Sequence, residues 1–526
     1  MEGNKTYDTG NKDTGMTIQE LTADLDIQDV RGNIEGEVSS IAVHSHNAGP
    51  DSLFVAIAGS KADGHDFLDT VYRAGSRAFV TERPFHKTGT VNIIVPDSRR
   101  ALACLAATFY GHPSRHMTLI GITGTNGKTT TAFLIESMLR EAGHEAGLLS
   151  TIEYRFGTRR CSAHQTTPDS LALQRTLSDM AAEGVSSVVM EVSSHGLDQR
   201  RVESCHFDVG IFTNLSPEHL DYHKTMDDYF SSKQRFFTEV LPGSAKNGVA
   251  AVINADDPMG RNLLEQTPCT AVGYGVENGA VRAHNISLSL EGISADISTP
   301  GGRFSITSRL VGTFNLYNIL AAVAAAWHLG LSRTAIMSGI EKTAGVPGRM
   351  EPVDNRKKIR AFVDFAHTGD ALENVLNVLS RGGAQRIITV FGCGGDRDRE
   401  KRPVMGKIAA AASSIVIITS DNPRSEHPED IIRQIERGVR EKSFVRAHDD
   451  TADCPRRGVY FIIPDRRDAI RLAVFLAGPG DVVLVAGKGH ETTQQIGNDL
   501  RHFDDREEIR RACAQEETYR PPCPGD

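Results

Sequence analysis

An apolar strand that runs into a glycine-rich loop and then a helix constrains this chain more than any other feature. MTLIGIT (117–123) reads as the strand, GTNGKTT (124–130) as the loop and TTTAFLIESMLREAG (129–143) as an amphipathic helix ending on Gly143. Glycines let the backbone N–H groups of such a loop wrap a phosphate, and the helix N-terminus adds favourable dipole charge. Lys128 is then placed to contact the β- and γ-phosphates of a nucleotide, and Thr129 to offer its hydroxyl to Mg²⁺. The strict GxxxxGK[ST] spacing is not met, because Ile122 stands where its first glycine belongs. A glycine turn that merely contains a lysine is the alternative, but strand, loop, Lys-Thr-Thr and helix all stand in order.

A chain of 526 residues is too long for one core. The net charge of −9 argues against nucleic acid as a partner, since phosphate-backbone binding needs a basic surface. The eight cysteines, including Cys454 and Cys523, form no CxxC pair, which favours reduced cytosolic thiols over a zinc site or a disulfide framework. Residues 1–15 are polar and lack the apolar stretch of a signal peptide. The longest apolar run, 319–327, is shorter than the ~20 residues of a membrane span. These features predict a cytoplasmic protein without membrane insertion.

The strand and helix patterns divide the chain into a disordered extension (1–15), a small α/β domain (16–116), a central domain (117–346), a third domain (347–514) and a disordered tail (515–526). In the central domain SSVVMEVSS (186–194), VGIFTNLS (209–216) and GVAAVINA (248–255) alternate with helices, which implies a mostly parallel sheet covered on both faces. The Val-Pro-Gly segment 346–348 reads as a linker. Beyond it IRAFVDFAH, RIITVFGCGG, SIVIITSDNP and DVVLVAGKG repeat the strand-then-loop pattern of a second, doubly wound α/β domain. The fold class is therefore α/β, with a P-loop-type central domain, a Rossmann-like C-terminal domain and a smaller N-terminal domain.

Glu191 closes the strand before SSHGL and is well placed to hold a hard cation beside the nucleotide loop. His219 follows the next strand, and Lys233 lies in an aromatic helix after it. Taken singly, each of these reads as a structural or solvated side chain.

Together the motifs resemble those of the Mur ligases of peptidoglycan synthesis, and among them the ligases that add the third residue of the stem peptide. The match runs from about residue 43 to residue 508. It takes in GxxxDGH (59–65), GTNGKTT, TTP (166–168), MEVSSHGL (190–197), NLSPEHLDYH (214–223), GTFNLYN (312–318) and PGRME (347–351). VDFAHTGDAL (363–372), FGCGGDRDREKRP (391–403), DNPR (421–424) and GKGHE (487–491) complete it.

The resemblance implies ATP held by Gly124, Thr125, Asn126, Gly127, Lys128, Thr129 and Thr130, with Asn315 and Asn318 near the adenine. Arg349 and Asp364 would reach the nucleotide from the C-terminal domain. Mg²⁺ is implied at Thr129 and Glu191, and again at His219 with Lys233 as a CO₂-derived carbamate (N6-carboxylysine). Lys128, Glu191, His219 and Lys233 would be the catalytic set. For the sugar nucleotide the matching positions are Ser45, Thr166, Thr167, Ser193, Gln199 and Arg201. The acceptor implied is UDP-N-acetylmuramoyl-L-alanyl-D-glutamate (UDP-MurNAc-L-Ala-D-Glu), and the enzyme is expected to act as a monomer. The reaction implied joins an amino acid to a carboxylate through an acyl-phosphate.

For the amino acid, Arg397 and Arg424 offer guanidinium groups to a carboxylate, and Glu491 an acceptor to an ammonium. Asp421, Asn422, Pro423 and Gly487 complete that loop pair, which favours meso-diaminopimelate over lysine or ornithine. Departures from the family pattern are His44 and His46 around Ser45, where Asp and Arg are usual, Gln165 for Asn, and Gly369 for Pro. A folylpolyglutamate synthase-like ligase and a non-catalytic nucleotide-binding protein remain alternatives.

Overall fold

The computed structural model describes residues 15–59, 62–163, 165–447 and 457–514. The expected extension and tail, apart from Gly15, lie outside these residues, as do Cys454 and Cys523.

Three sheets organise the chain. The N-terminal sheet has five strands, of which Ser40–Ala42, Ser52–Val55, Ala78–Thr81 and Val91–Ile94 run parallel in that order. The central sheet has eleven strands, and the phosphate-loop strand Thr118–Thr123 lies inside it between Ser187–Glu191 and Val209–Phe212, parallel to both. Strands buried on both faces are apolar through their middles, and these are, with Thr118, Thr123, Ser187 and Glu191 confined to their ends. The third sheet has seven strands, with Arg360–Asp364, Val482–Ala486, Ile387–Phe391 and Ile415–Ile418 parallel at its heart.

The Gly124 loop, the turn after Glu191 and the DNPR and GKGHE loops leave the carboxyl ends of these strands, where an α/β sheet presents its ligands. The helix Lys128–Glu141 packs with Thr313–His328 over the central sheet. Residues 319–326 of the latter helix are fully buried, so its apolar run is an internal helix lined with small alanines. No helix among the described residues is long and apolar enough to cross a membrane.

Two sheet extensions go beyond the strands read from the sequence. The hairpin Glu153–Phe156 and Arg159–Ser162 flanks one edge of the central sheet. At the other edge Val281–Leu288, Ile293–Thr299 and Gly302–Ser308 form an antiparallel meander. The expected linker 346–348 is a packed crossing, not an open tether: Val346 is fully buried, and a Cβ on Gly348 would lie 2.0 Å from the backbone nitrogen of His490.

Candidate active site

The phosphate loop is shaped by its neighbours as much as by its own glycines. Gly124 (φ 141°) and Gly127 (φ 87°) take conformations that a side chain would strain. A Cβ on Gly124 would lie 1.9 Å from Thr213 Oγ1, and one on Gly127 2.2 Å from Asn318 Oδ1. The Asn126 amide donates to Asn214 Oδ1 (2.9 Å), and Thr213 Oγ1 donates to the Asn126 carbonyl (2.6 Å). Thr125 Oγ1 meets Tyr229 Oη at 3.1 Å, while Thr130 is buried. The first helical turn therefore presents its N–H groups, which have no intrahelical acceptors, at the loop's concave side.

Two lysines converge on one carbonyl. Lys128 Nζ donates to the Gly124 oxygen (2.9 Å) and the Thr125 oxygen (2.7 Å), and Lys233 Nζ donates to the same Gly124 oxygen at 3.0 Å. Lys233 is almost wholly buried, with Nζ 4.5 Å from the centre of the Tyr229 ring. Burial, reinforced by the nearby charge of Lys128, drives its pKa well below the ordinary lysine value. Burial also lowers the pKa of Lys128, against the attraction of Glu191 and Glu218.

Glu191, also buried, accepts from Thr129 Oγ1 (2.8 Å) and, on both carboxylate oxygens, from the Thr151 amide (2.8 Å) and hydroxyl (3.0 Å). His219 has left-handed backbone (φ 59°) and stands edge-on to His195 with ring centres 4.9 Å apart. Partial burial and the charges of His195, Lys128 and Lys233 push its pKa down to about 4 despite Glu218, 3.8 Å away. The imidazole is thus neutral at pH 7, with a ring nitrogen free to bind a metal. Burial raises the pKa of Glu218, but the hydrogen bond to His367 and the charge of His219 outweigh it and hold the group well below the usual carboxylate range. Among the described residues no group of three or more His, Cys, Asp or Glu forms a ready-made metal cage.

From the C-terminal domain Arg349 reaches this site, its Nη2 3.4 Å from Thr129 Oγ1 and its guanidinium 4.7 Å over the Phe365 ring. Its buried Nε has no hydrogen-bond partner. Asp364 turns inward, accepting from the amides of Met350 (2.6 Å) and Ala366 (2.7 Å), so it shapes the loop that carries Arg349. Asp370 accepts from Asn126 Nδ2 (3.3 Å) and Ser216 Oγ (3.1 Å), a further contact across the domains. Asn315 and Asn318 are buried and joined to each other at 3.0 Å.

Five of the six expected sugar-nucleotide residues form one network. Thr167 Oγ1 donates to Ser193 Oγ (3.1 Å), Arg201 donates to the Thr167 carbonyl (2.6 Å) and to Gln199 (2.8 Å), and Thr166 accepts from Thr151 (3.1 Å). Gln165 joins it by accepting from Arg201 at 2.6 Å. Ser45 lies apart, in the 3₁₀ turn Ser45–Asn47, where the His44 and His46 rings stack at 5.4 Å.

The third sheet gathers the DNPR and GKGHE loops. Asn422 Nδ2 donates to Glu491 Oε2 (2.8 Å), Arg424 Nη1 donates to the Gly395 carbonyl (2.7 Å), and a Cβ on Gly487 would lie 2.7 Å from Asp421 Oδ2. The Pro423 carbonyl packs on Gly395, and Arg397 is exposed beside that turn. No hydrogen bond joins this pocket to residues 124–130 among the described residues, whereas Arg349 already does so. Thr151, Glu218, His367, Asp370 and Lys488 had no role in the sequence reading. Each stands in or beside a quoted motif or a strand end, but only their partners across the fold give them meaning.

Comparison with known proteins accounts for this arrangement. Residues 37–110, 122–326 and 348–489 match the models for the Mur ligase family catalytic domain, the Mur ligase middle domain and the Mur ligase glutamate ligase domain. The UDP-N-acetylmuramoyl-L-alanyl-D-glutamate–2,6-diaminopimelate ligase of Geobacter sulfurreducens is 48% identical over 94% of this chain and 98% of its own. The chain belongs to the Mur ligase family. It is thus an ATP-dependent ligase that forms amide bonds. The enzyme of the same name from Geobacillus thermodenitrificans is 44% identical over 91% of this chain and 95% of its own. A solved structure of a ligase with that name superposes with a TM-score of 0.68 at 30% identity, covering 96% of this ligase and all of the other chain. MurF from Thermotoga maritima, in complex with ADP, shares the fold at 18% identity, with a TM-score of 0.59 over 90% of this chain and 97% of its own.

Proposed function

We propose that this ligase joins meso-diaminopimelate to the γ-carboxylate of D-glutamate in UDP-MurNAc-L-Ala-D-Glu, using ATP, as a step in peptidoglycan precursor synthesis. The observation that carries the reading is one chain holding both the Gly124 loop, with Lys128 and the buried Lys233 converging on it, and the paired DNPR and GKGHE loops. The 48% and 44% identity to ligases of that name, over 94% and 91% of this chain, supports the same substrates. In this reading residues 16–116 take the UDP-sugar, 117–346 the ATP and 347–514 the amino acid.

The substrate carboxylate oxygen attacks the γ-phosphorus, the bond to ADP breaks, and an acyl-phosphate forms. The amine of the incoming amino acid then attacks the acyl carbon, loses a proton, and inorganic phosphate leaves. Little covalent work falls to the protein; positioning and charge neutralisation dominate. Lys128 and the amides of residues 127–130 bind the phosphates, and Arg349, with an unpartnered buried Nε, supplies a further cation. Thr167, Ser193, Gln199 and Arg201 orient the acceptor beside Glu191.

Thr129, Glu191, His219 and a carbamylated Lys233 would hold Mg²⁺, which when bound neutralises charge on the transferring phosphoryl group. The surroundings of Lys233 fit that modification. A buried lysine without a carboxylate partner, its pKa depressed, offers the neutral amine that adds to CO₂. The addition releases a proton and leaves a carbamate, whose anionic oxygens can bind Mg²⁺ where the amine had none to offer.

In the amino-acid pocket, Arg424 and Arg397 would grip the far carboxylate and Glu491 the far ammonium. Lysine or ornithine lacks the far carboxylate and would leave the remaining donors of the half-buried Arg424 without an anion, so both should be poorer substrates. The deciding experiment offers purified enzyme UDP-MurNAc-L-Ala-D-Glu, ATP and, in turn, meso-diaminopimelate, lysine and ornithine. ADP release should require both acceptor and amino acid, with the highest kcat/KM for diaminopimelate. A preference for lysine or ornithine removes the diaminopimelate assignment and leaves the ligase intact.

A further inference from the structure

Beneath the DNPR and GKGHE loops lies a buried ammonium that contacts no surface. The Lys488 side chain has 0% exposure. Its Nζ donates to Glu491 Oε2 (3.0 Å), Asn422 Oδ1 (3.3 Å) and the Thr493 carbonyl (2.5 Å). An ammonium has about three N–H groups to give, so none is left for a ligand. Lys488 cannot bind substrate itself; it can only fix what does.

What it fixes is an orientation. The oxygen and nitrogen of an asparagine amide have nearly the same shape, and neighbouring donors decide which points where. Asn422 Oδ1 accepts from Lys488 and also from the Gln495 amide (2.9 Å). Its Nδ2 must then face the other way, and it donates to Glu491 Oε2 at 2.8 Å. One N–H of that nitrogen remains to donate to a carboxylate. Lys488 and Asn422 both hold the same oxygen of Glu491, which leaves Oε1 to accept from an ammonium. The network extends through the backbone: the Arg424 amide donates to the Gln495 carbonyl (3.2 Å), and Gly497 donates to the Arg424 carbonyl (2.7 Å).

We propose that Lys488 is a positioning residue for amino-acid selection, locking the Asn422 amide and the Glu491 carboxylate as a donor–acceptor pair that matches the carboxylate and ammonium of an α-amino-acid terminus. This rests on the reading of the pocket as the amino-acid site. Lys488→Met, in the full chain, keeps the length of the side chain and removes the lock. The KM for meso-diaminopimelate should rise on the order of 10- to 100-fold, because the pocket's polar groups lose their fixed partners. The maximal rate and the KM for ATP should stay within about twofold, and the preference for diaminopimelate over lysine should fall. Lys488→Gln can still donate to Asn422 but cannot make the ion pair, so it should lie between wild type and Lys488→Met. An unchanged amino-acid KM in Lys488→Met, or a loss spread equally over kcat and the ATP KM, would falsify the proposal. So would failure of both variants to fold, which would make Lys488 purely structural. Glu491→Gln separates the two levels: if it too leaves the amino-acid KM unchanged, the pocket reading fails, whereas an effect there without one at Lys488 defeats only the positioning role.

Discussion

Two buried lysines, one in each large domain, are solvated by the protein in opposite ways. Lys233 in the central domain has one backbone carbonyl, an aromatic face and a second lysine for company. Lys488 in the C-terminal domain has a carboxylate, an amide oxygen and a carbonyl. The contrast extends to their surroundings. Buried Arg402 is paired with Glu426, and buried Arg466 with Asp505 at 2.7 Å, so this part of the C-terminal domain gives each buried cation an acid. The difference teaches what each site is built for. An under-solvated lysine is held ready for chemistry or a metal-binding modification, while a fully solvated one fixes geometry.

The largest expected effect tests the first half of that contrast. Lys233→Ala should bring ligation close to background while ATP binding persists, and a short-chain carboxylic acid should restore part of the activity by standing in for the carbamate. Turnover near wild type in that variant would take the carbamate out of the mechanism. Next in size, Lys128→Ala removes a cation from the transferring phosphoryl group and should lower kcat by on the order of 10²-fold or more. Full activity would mean that the loop binds something other than the reacting phosphate.

Stability sharpens the comparison further. In the ligand-free enzyme, Lys233→Met should be stabilising by about 1–2 kcal/mol, since it removes a poorly solvated polar group. Lys488→Met should be destabilising by about 1–3 kcal/mol, since it strands three acceptors. Denaturant midpoints for the two variants that move in the same direction would erase the distinction.

The smallest effect concerns acid. The hydrogen bonds from Arg402 hold Glu426 down to a pKa of about 2, against an ordinary 4.5. A depressed carboxylate contributes stability that is present above pH 4.5 and lost as pH falls towards 2. Glu426→Gln should therefore cost ~2 kcal/mol at pH 7 and progressively less below pH 4.5. Thermal unfolding of both proteins at pH 7 and pH 3 reads this directly, and a gap that stays constant would assign the loss to packing.

Much of the fold was legible because its decisive signals are local. The strand-loop-helix at 117–143 and the four apolar strands of the C-terminal domain each fit within a short window. The antiparallel meander 281–308 carries a weaker local signal: ISADIST and GRFSITS alternate apolar and polar residues between glycine turns, as half-buried strands do. Thr151 could not be found in this way. It follows a strand by two residues and matters only because Glu191, forty positions later, points both oxygens at it.

By itself the sequence determined which residue types stand at the ends of which strands, because strand periodicity, glycine conformational freedom and motif order are properties of neighbouring residues. It therefore specified the Gly124 loop, Glu191 and the DNPR and GKGHE segments. Only the tertiary structure decided how each charge is solvated. How fully a buried lysine is solvated depends on chain segments far apart in sequence: Lys233 meets the Gly124 carbonyl, and Lys488 meets Asn422 as well as the neighbouring Glu491 of its own loop. Desolvation and Coulomb attraction act through space and not along the chain, so two lysines that look alike in a motif become chemically different groups.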